Sequence, residues 1–169
     1  LDTIRTDFEK KTAGLAARVI ICAGTGCVAN GSLKVFEAFV AEIRQAGLTA
    51  AVELARESSG IHVSRSGCQG FCQMGPLVTI LPDNILYTRV QAADVPEIVA
   101  TTLQNRQVVE RLLYVDPSTK KRCTGTSDIP FYRLQQRSVL RDCGLIDPEN
   151  IEEYIAGGGY GAARSAVTE

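Results

Sequence analysis

The sequence holds a single histidine, His62, and a single methionine, Met74, and no two of its cysteines stand in a C-x-x-C spacing. One histidine excludes a Rieske centre, which needs two. The missing C-x-x-C excludes the usual dithiol motif of disulfide oxidoreductases. No apolar run approaches the ~18–20 residues that span a bilayer. Nor does a charged start lead into an apolar stretch and a cleavage site, so there is no export signal to read. Neither sign of charge dominates: 18 Lys and Arg stand against 19 Asp and Glu, a formal net charge of −1. That balance gives no electrostatic case for nucleic acid or an anionic membrane as partner. Internal repeats and low-complexity tracts are also lacking. The expectation is a cytoplasmic protein without direct membrane insertion. Because the chain begins at Leu1 and its only methionine is Met74, the sequence is expected to be a processed, excised or partial product.

What is present fits a soluble globular protein: 169 residues, 45% hydrophobic and 22% charged, enough for one domain or a small domain with an appendage. Six cysteines exceed what packing usually needs. A disulfide framework would require a secreted, disulfide-dense character that this chain does not have.

Local patterns divide the chain into four parts. Residues 1–17 read as an N-terminal helical segment. Residues 18–113 read as the principal domain. It opens on a short strand, Arg18 to Cys22, which ends in the turn Ala23-Gly24-Thr25-Gly26. Asn30-Gly31-Ser32 then starts a helix, with Ser32 as N-cap and Leu33, Phe36, Phe39, Val40 and Ile43 on one face. Gly47 ends it, and alternation over 51–57 predicts a half-buried strand. Further on, Leu77 to Leu81 and Ile85 to Val90 flank Pro82-Asp83-Asn84 as a hairpin. A helix opens at Asp94 with Pro96 in its first turn, and breaks near Asn105. Strand, helix, strand, loop, hairpin and helix in this order predict an α/β architecture of thioredoxin-like topology, a small mixed sheet with flanking helices. Residues 114–128, polar and basic around Lys120-Lys121-Arg122, read as a linker. Residues 129–169 read as a helical C-terminal extension. One helix carries Phe131, Leu134, Val139 and Leu140 to Gly144; a second follows Asp147-Pro148 and stops at Gly157. This extension has too little apolar surface to fold alone and is expected to pack on another body.

Four cysteines carry the chemistry. Cys22 and Cys27 form a C-x4-C pair and Cys68 and Cys72 a C-x3-C pair, with forty residues between Cys27 and Cys68. Glycine threads both loops, at Gly24, Gly26, Gly67, Gly70 and Gly75, and lets backbone N–H groups turn toward sulfur. Structural zinc sites use tighter knuckles, often with histidine. Plant-type ferredoxins use C-x4-C-x2-C, which is not found here. An all-cysteine iron–sulfur centre remains, and spacing alone does not choose between [2Fe–2S] and [4Fe–4S]. Gly24 to Ala29 also fits the dinucleotide fingerprint G-x-G-x-x-A, with Glu53 placed for a ribose, but a cysteine in that loop favours ligation.

These residues resemble the thioredoxin-like [2Fe–2S] ferredoxin family over about residues 18–113, a family that includes the small iron–sulfur subunit of respiratory complex I. The resemblance implies that Cys22 and Cys27 bind one iron and Cys68 and Cys72 the other, in a single cluster that transfers one electron. The extension, in turn, resembles the start of the FMN- and NADH-binding flavoprotein subunit of complex I. It also resembles the beta subunits of NAD-linked [FeFe] hydrogenases and NAD-dependent formate dehydrogenases. Tyr132, Gln135, Arg137, Leu140, Gly144, Pro148, Tyr154, Gly158, Gly159 and Tyr160 carry that likeness. It implies an electron-transfer part of an NAD(H)-dependent oxidoreductase, partnered by other subunits of a multi-subunit redox complex. FMN, NAD and a [4Fe–4S] cluster are expected only downstream, since the glycine-rich nucleotide segment and further cysteines are not in this sequence.

Plainer readings stand beside these. The four thiols could hold zinc in a non-redox, thioredoxin-like module that docks subunits. Cys123 reads as a free linker thiol and Cys143 as packed. His62 reads as a surface or hydrogen-bonded histidine, and Met74 as a core residue or a shield for the cluster. The chain offers no general acid, base or nucleophile of its own; its chemistry would belong to the cofactor.

Overall fold

The computed structural model describes residues 1–54 and 58–168. Helix α1 (Asp2–Thr12) stops short of the predicted 1–17, and strand β1 (Gly14–Cys22) begins correspondingly early. Gly14 explains the boundary. A Cβ there would lie 2.8 Å from the Ser58 carbonyl oxygen, so only glycine lets the chain close against its neighbour. A single helical turn, α2 (Thr25–Ala29), precedes α3 (Ser32–Gln45). The N-cap of α3 is Gly31, at φ +92, rather than Ser32, which is its first residue and is buried. Val35, Phe39 and Ile43 form the buried stripe at i, i+4 and i+8. Phe36 and Val40 flank it partly buried, whereas Leu33 is exposed.

The strand expected over 51–57 shrinks to β2 (Ala50–Ala51); the chain bends at Val52 and Glu53, and residues 55–57 lie outside the described residues. Then come β3 (Ser59–Ser66) and the predicted hairpin of β4 (Val78–Leu81) and β5 (Ile85–Tyr87), with Asn84 at φ +51 in its turn. Helix α4 (Val95–Ile98) starts after Asp94 and widens into a π-helical turn through Gln104. Residues 108–113 do not resume a helix but make one 3-10 turn, Glu110–Leu112.

The sheet runs β2-β3-β1-β4-β5, with β1 parallel to β3 and antiparallel to β4. One face carries Val19, Ile21, Val63, Val78 and Ile80 beneath α3 and α4, packed with Phe39, Ile43, Ile98 and Val99. Each such side chain contributes about 1.5–3 kcal/mol relative to exposure. Alternation turns Arg18, Ile20 and Cys22 of β1 and His62, Ser64 and Ser66 of β3 to the opposite face.

The chain beyond residue 113 covers that second face. The stretch read as a linker holds a ribbon of β6 (Tyr114–Val115) and β7 (Arg122–Cys123). Cys123 is therefore not a loose thiol: it is buried with Leu77, Leu86 and Ile129, and its Sγ donates to the Asp128 carbonyl at 3.4 Å. Helix α5 (Pro130–Arg133) is one turn, not the long helix expected to reach Gly144; Leu134, Val139 and Leu140 are exposed. Helix α6 (Ile151–Ala156) is capped by Asn150, whose Oδ1 accepts from the Glu152 and Glu153 amides, and α7 (Gly161–Thr168) follows the glycines. Ion pairs fasten this extension down: Lys11 to Glu152 and Arg18 to Glu153 at 2.5 Å, and Arg65 to Glu149 at 2.6 Å. Glu153 is buried and also accepts from the Asp147 amide. His62 lies 2% exposed on this covered face, not at the surface, and its Nδ1 has no hydrogen-bond partner among the described residues. Burial and the Arg18 charge hold its pKa down at about 4. Among the described residues no helix is long and apolar enough to cross a membrane.

Candidate metal centre

Parallel pairing brings the two cysteine loops together. Cys22 is the last residue of β1 and Cys68 lies two residues beyond β3, so both loops leave the carboxyl edge of adjacent parallel strands. Open α/β sheets place their ligands at this edge. Backbone bonds tie the loops to the sheet: the Cys22 amide donates to Leu77 O and the Ala23 amide to Ser66 O, both at 3.0 Å. Cys27 sits in α2, and Cys72 opens a 3-10 turn, Cys72–Met74.

The structure therefore gathers all four predicted residues. Cys68 Sγ and Cys72 Sγ stand 3.9 Å apart, close to the edge of a tetrahedron with metal–sulfur bonds of about 2.3 Å. Cys22 senses both Cys27 and Cys68 electrostatically, and its Sγ donates to the Gly67 carbonyl oxygen at 3.8 Å. Cys22 and Cys27 are 1% exposed, while Cys68 and Cys72 are open to solvent. The thiols thus form an inner pair and an outer pair. Among the described residues, no group of three or more His, Cys, Asp or Glu side chains is gathered as ligands for one ion.

Hydrogen bonding divides the inner pair electrostatically. The bond from the Cys27 thiol lowers the Cys22 pKa to about 6 against the effect of burial, helped by the Gln69 and Gly24 amides. Cys27, as the donor and a buried group, is pushed up. In the outer pair the Cys68 contact raises Cys72, and the Gly70 amide donates to Cys68 Sγ at 3.4 Å.

The glycines shape the space around the sulfurs. A Cβ at Gly75 would lie 2.6 Å from Cys27 Sγ, one at Gly24 3.0 Å from Cys68 Sγ, and one at Gly26 3.5 Å from Cys72 Sγ. Gly24 and Gly26 thus face cysteines rather than the open cradle a pyrophosphate needs, and the dinucleotide reading fails on that ground. Four soft donors in so close a cradle fit an iron–sulfur centre.

The extension supplies neighbours that spacing alone did not announce. Phe71, between the outer cysteines, stacks on Phe131 at 4.7 Å and meets the Tyr114 and Tyr132 ring edges. The Tyr132 hydroxyl is buried without a hydrogen-bond partner among the described residues, and burial raises its pKa. Arg137 lies over the Tyr132 ring, with Cζ 5.7 Å from the centroid. Met74 packs on the cluster formed by Cys22, Cys27, Phe71 and Leu77. Cys143 is half-buried, its Sγ 3.7 Å from where a Gly67 Cβ would be. His62 stays apart, mid-strand in β3.

A family model for the thioredoxin-like [2Fe-2S] ferredoxin matches residues 3–103. Over 86 residues the chain is 35% identical to a 2Fe-2S ferredoxin of Clostridium pasteurianum, covering 51% of this chain and 76% of that one. A 2Fe-2S ferredoxin of Aquifex aeolicus is 34% identical over 90 residues, covering 52% and 71%. The solved structure of a thioredoxin-like [2Fe-2S] ferredoxin from Aquifex aeolicus aligns at 31% identity with a TM-score of 0.46, over 57% of this chain and 87% of that one. The chain, a mixed sheet with flanking helices and a C-terminal extension, belongs to the thioredoxin-like [2Fe-2S] ferredoxin family.

Proposed function

We propose that this chain is a one-electron carrier whose single [2Fe–2S] cluster is held by Cys22 and Cys27 on one iron and Cys68 and Cys72 on the other. The convergence of four thiols from two adjacent loops carries the reading, and it is supported by the family and by relatives named as 2Fe-2S ferredoxins. The bound cluster would supply reversible one-electron chemistry. The protein's share is to orient and shield: glycines bring amides to sulfur, Leu77 and Ile129 exclude water behind the inner pair, and the outer pair faces an electron partner. Residues 18–113 form the carrier in this reading. Residues 129–169 open the flavoprotein portion of a cytoplasmic NADH-linked complex, a hydrogenase, formate dehydrogenase or NADH dehydrogenase. Its other subunits are the partners.

Purified protein is expected to be red-brown, to bleach with dithionite and then to give an EPR signal. Cys68→Ser is expected to lose iron and acid-labile sulfide. A colourless wild type carrying zinc, or a Cys68→Ser protein with full iron and sulfide, would refute the assignment.

A further inference from the structure

Arg137 lies outside residues 3–103, the stretch matched by the family, yet its guanidinium rests on the outer cysteine loop. Its Nη2 donates to the Gln69 carbonyl oxygen at 2.9 Å. A Cβ at Gly70 would lie 2.8 Å from the same nitrogen, so the positive φ of Gly70, +86, and its bare Cα leave room for the guanidinium. The Tyr132 ring also neighbours the guanidinium, with Arg137 Cζ 5.7 Å from its centroid. None of the ion pairs among the described residues involves this arginine.

The Gln69 carbonyl and the Gly70 amide belong to one peptide group. Arg137 donates to its oxygen, and its N–H donates to Cys68 Sγ at 3.4 Å. Hydrogen bonds in such a chain polarise one another, so a cation on the oxygen makes the N–H a better donor. Donors to sulfur and nearby positive charge both favour the reduced, more negative state of an iron–sulfur centre. The two effects share one sign.

We propose that Arg137 is a redox-positioning residue: acting through the Gln69–Gly70 peptide and by its own charge, it raises the reduction potential at the Cys68 side of the site. The proposal rests on the [2Fe–2S] reading above. In the reduction it describes, the centre takes one electron from dithionite or an electrode and no proton. The added negative charge is what the guanidinium stabilises.

The test is a spectroelectrochemical titration of the cluster-loaded full chain as wild type, Arg137→Gln and Arg137→Lys, with Arg65→Gln as a control. Arg137→Gln is expected to weaken the reduction equilibrium roughly tenfold, about 59 mV for one electron. Arg137→Lys keeps the charge without the planar fork, and a smaller drop is expected. Arg65→Gln removes another partly exposed arginine and is expected to leave the midpoint unchanged. Equal midpoints in wild type and a loaded Arg137 variant overturn the proposal. So does loss of the cluster from both variants, which would make Arg137 a clamp on the loop rather than a tuner. A wild type that takes up no iron or sulfide fails the cluster reading instead, and the proposal with it.

Discussion

Gly24→Ala isolates loop closure from backbone strain. At φ −64 and ψ 150 the Gly24 backbone suits any residue, so alanine brings only its methyl group. That carbon would lie 2.8 Å from Cys68 Cβ and 3.0 Å from both Cα and Sγ, where ordinary contact begins at 3.4 Å. The two loops must therefore part by more than half an ångström. Overpacking of this kind costs about 1–3 kcal/mol, and it displaces Cys68 relative to Cys22 and Cys27. The expected result is substoichiometric iron and acid-labile sulfide, together with a lower urea midpoint. Gly26→Ala meets Cys72 Cβ at 3.3 Å and is expected to be milder. Gly31→Ala meets nothing within 4 Å but sits at φ +92. It should lose about 1–2 kcal/mol to backbone strain alone and keep full cluster content. A Gly24→Ala protein that loads fully at wild-type stability would refute the convergence of the loops.

Two further outcomes concern the covered face. His62 is neutral when folded, with a pKa of about 4 against 6.5 for the ordinary side chain. The unfolded chain binds the proton first, so its contribution to stability is intact above pH 6.5 and is lost as pH falls toward 4. The loss reaches about 3 kcal/mol. His62→Asn should flatten urea stability across that window, and an unchanged slope would show that burial and the Arg18 charge do not hold the imidazole neutral as described. Glu153→Ala leaves Arg18 without its buried partner and is expected to cost about 3 kcal/mol. Glu149→Ala breaks an exposed pair and should cost well under about 1 kcal/mol. Equal losses in urea melts would contradict the difference in burial.

Much of the site is written in short-range chemistry. The cysteine spacings, the Pro82-Asp83-Asn84 turn and the stop at Gly157 each act within a few residues, and the structure has each where the sequence puts it. What failed depends on distant chain. His62 alternates like a half-exposed strand residue, yet it is buried in a hollow that distant segments, residues 52–54 and 147–152, also line. The apolar spacing of Leu134, Val139 and Leu140 imitates a helix face, yet none of them finds a buried surface here. Val35 lies on the same buried stripe as Phe39, one turn earlier, outside the face that the spacing of Leu33, Phe36, Phe39, Val40 and Ile43 predicts. Cys123, set in a polar stretch, is drawn inward because the Leu86 amide pairs with the Thr124 carbonyl. In the sequence, Tyr132 and Arg137 stand out only through a likeness to flavoproteins. Their place beside the outer cysteines comes from the fold of the extension over the second face of the sheet.

The uneven exposure of the thiols gives the pocket a mouth and a floor. Behind Cys22 and Cys27 stand the central strand, Leu77 and Ile129, all buried and packed together. Incoming metal, a thiol reagent or an oxidant must arrive past Cys68 and Cys72, whose rim carries Phe131 and Arg137. Assembly and damage therefore share one doorway, and the extension forms one of its posts.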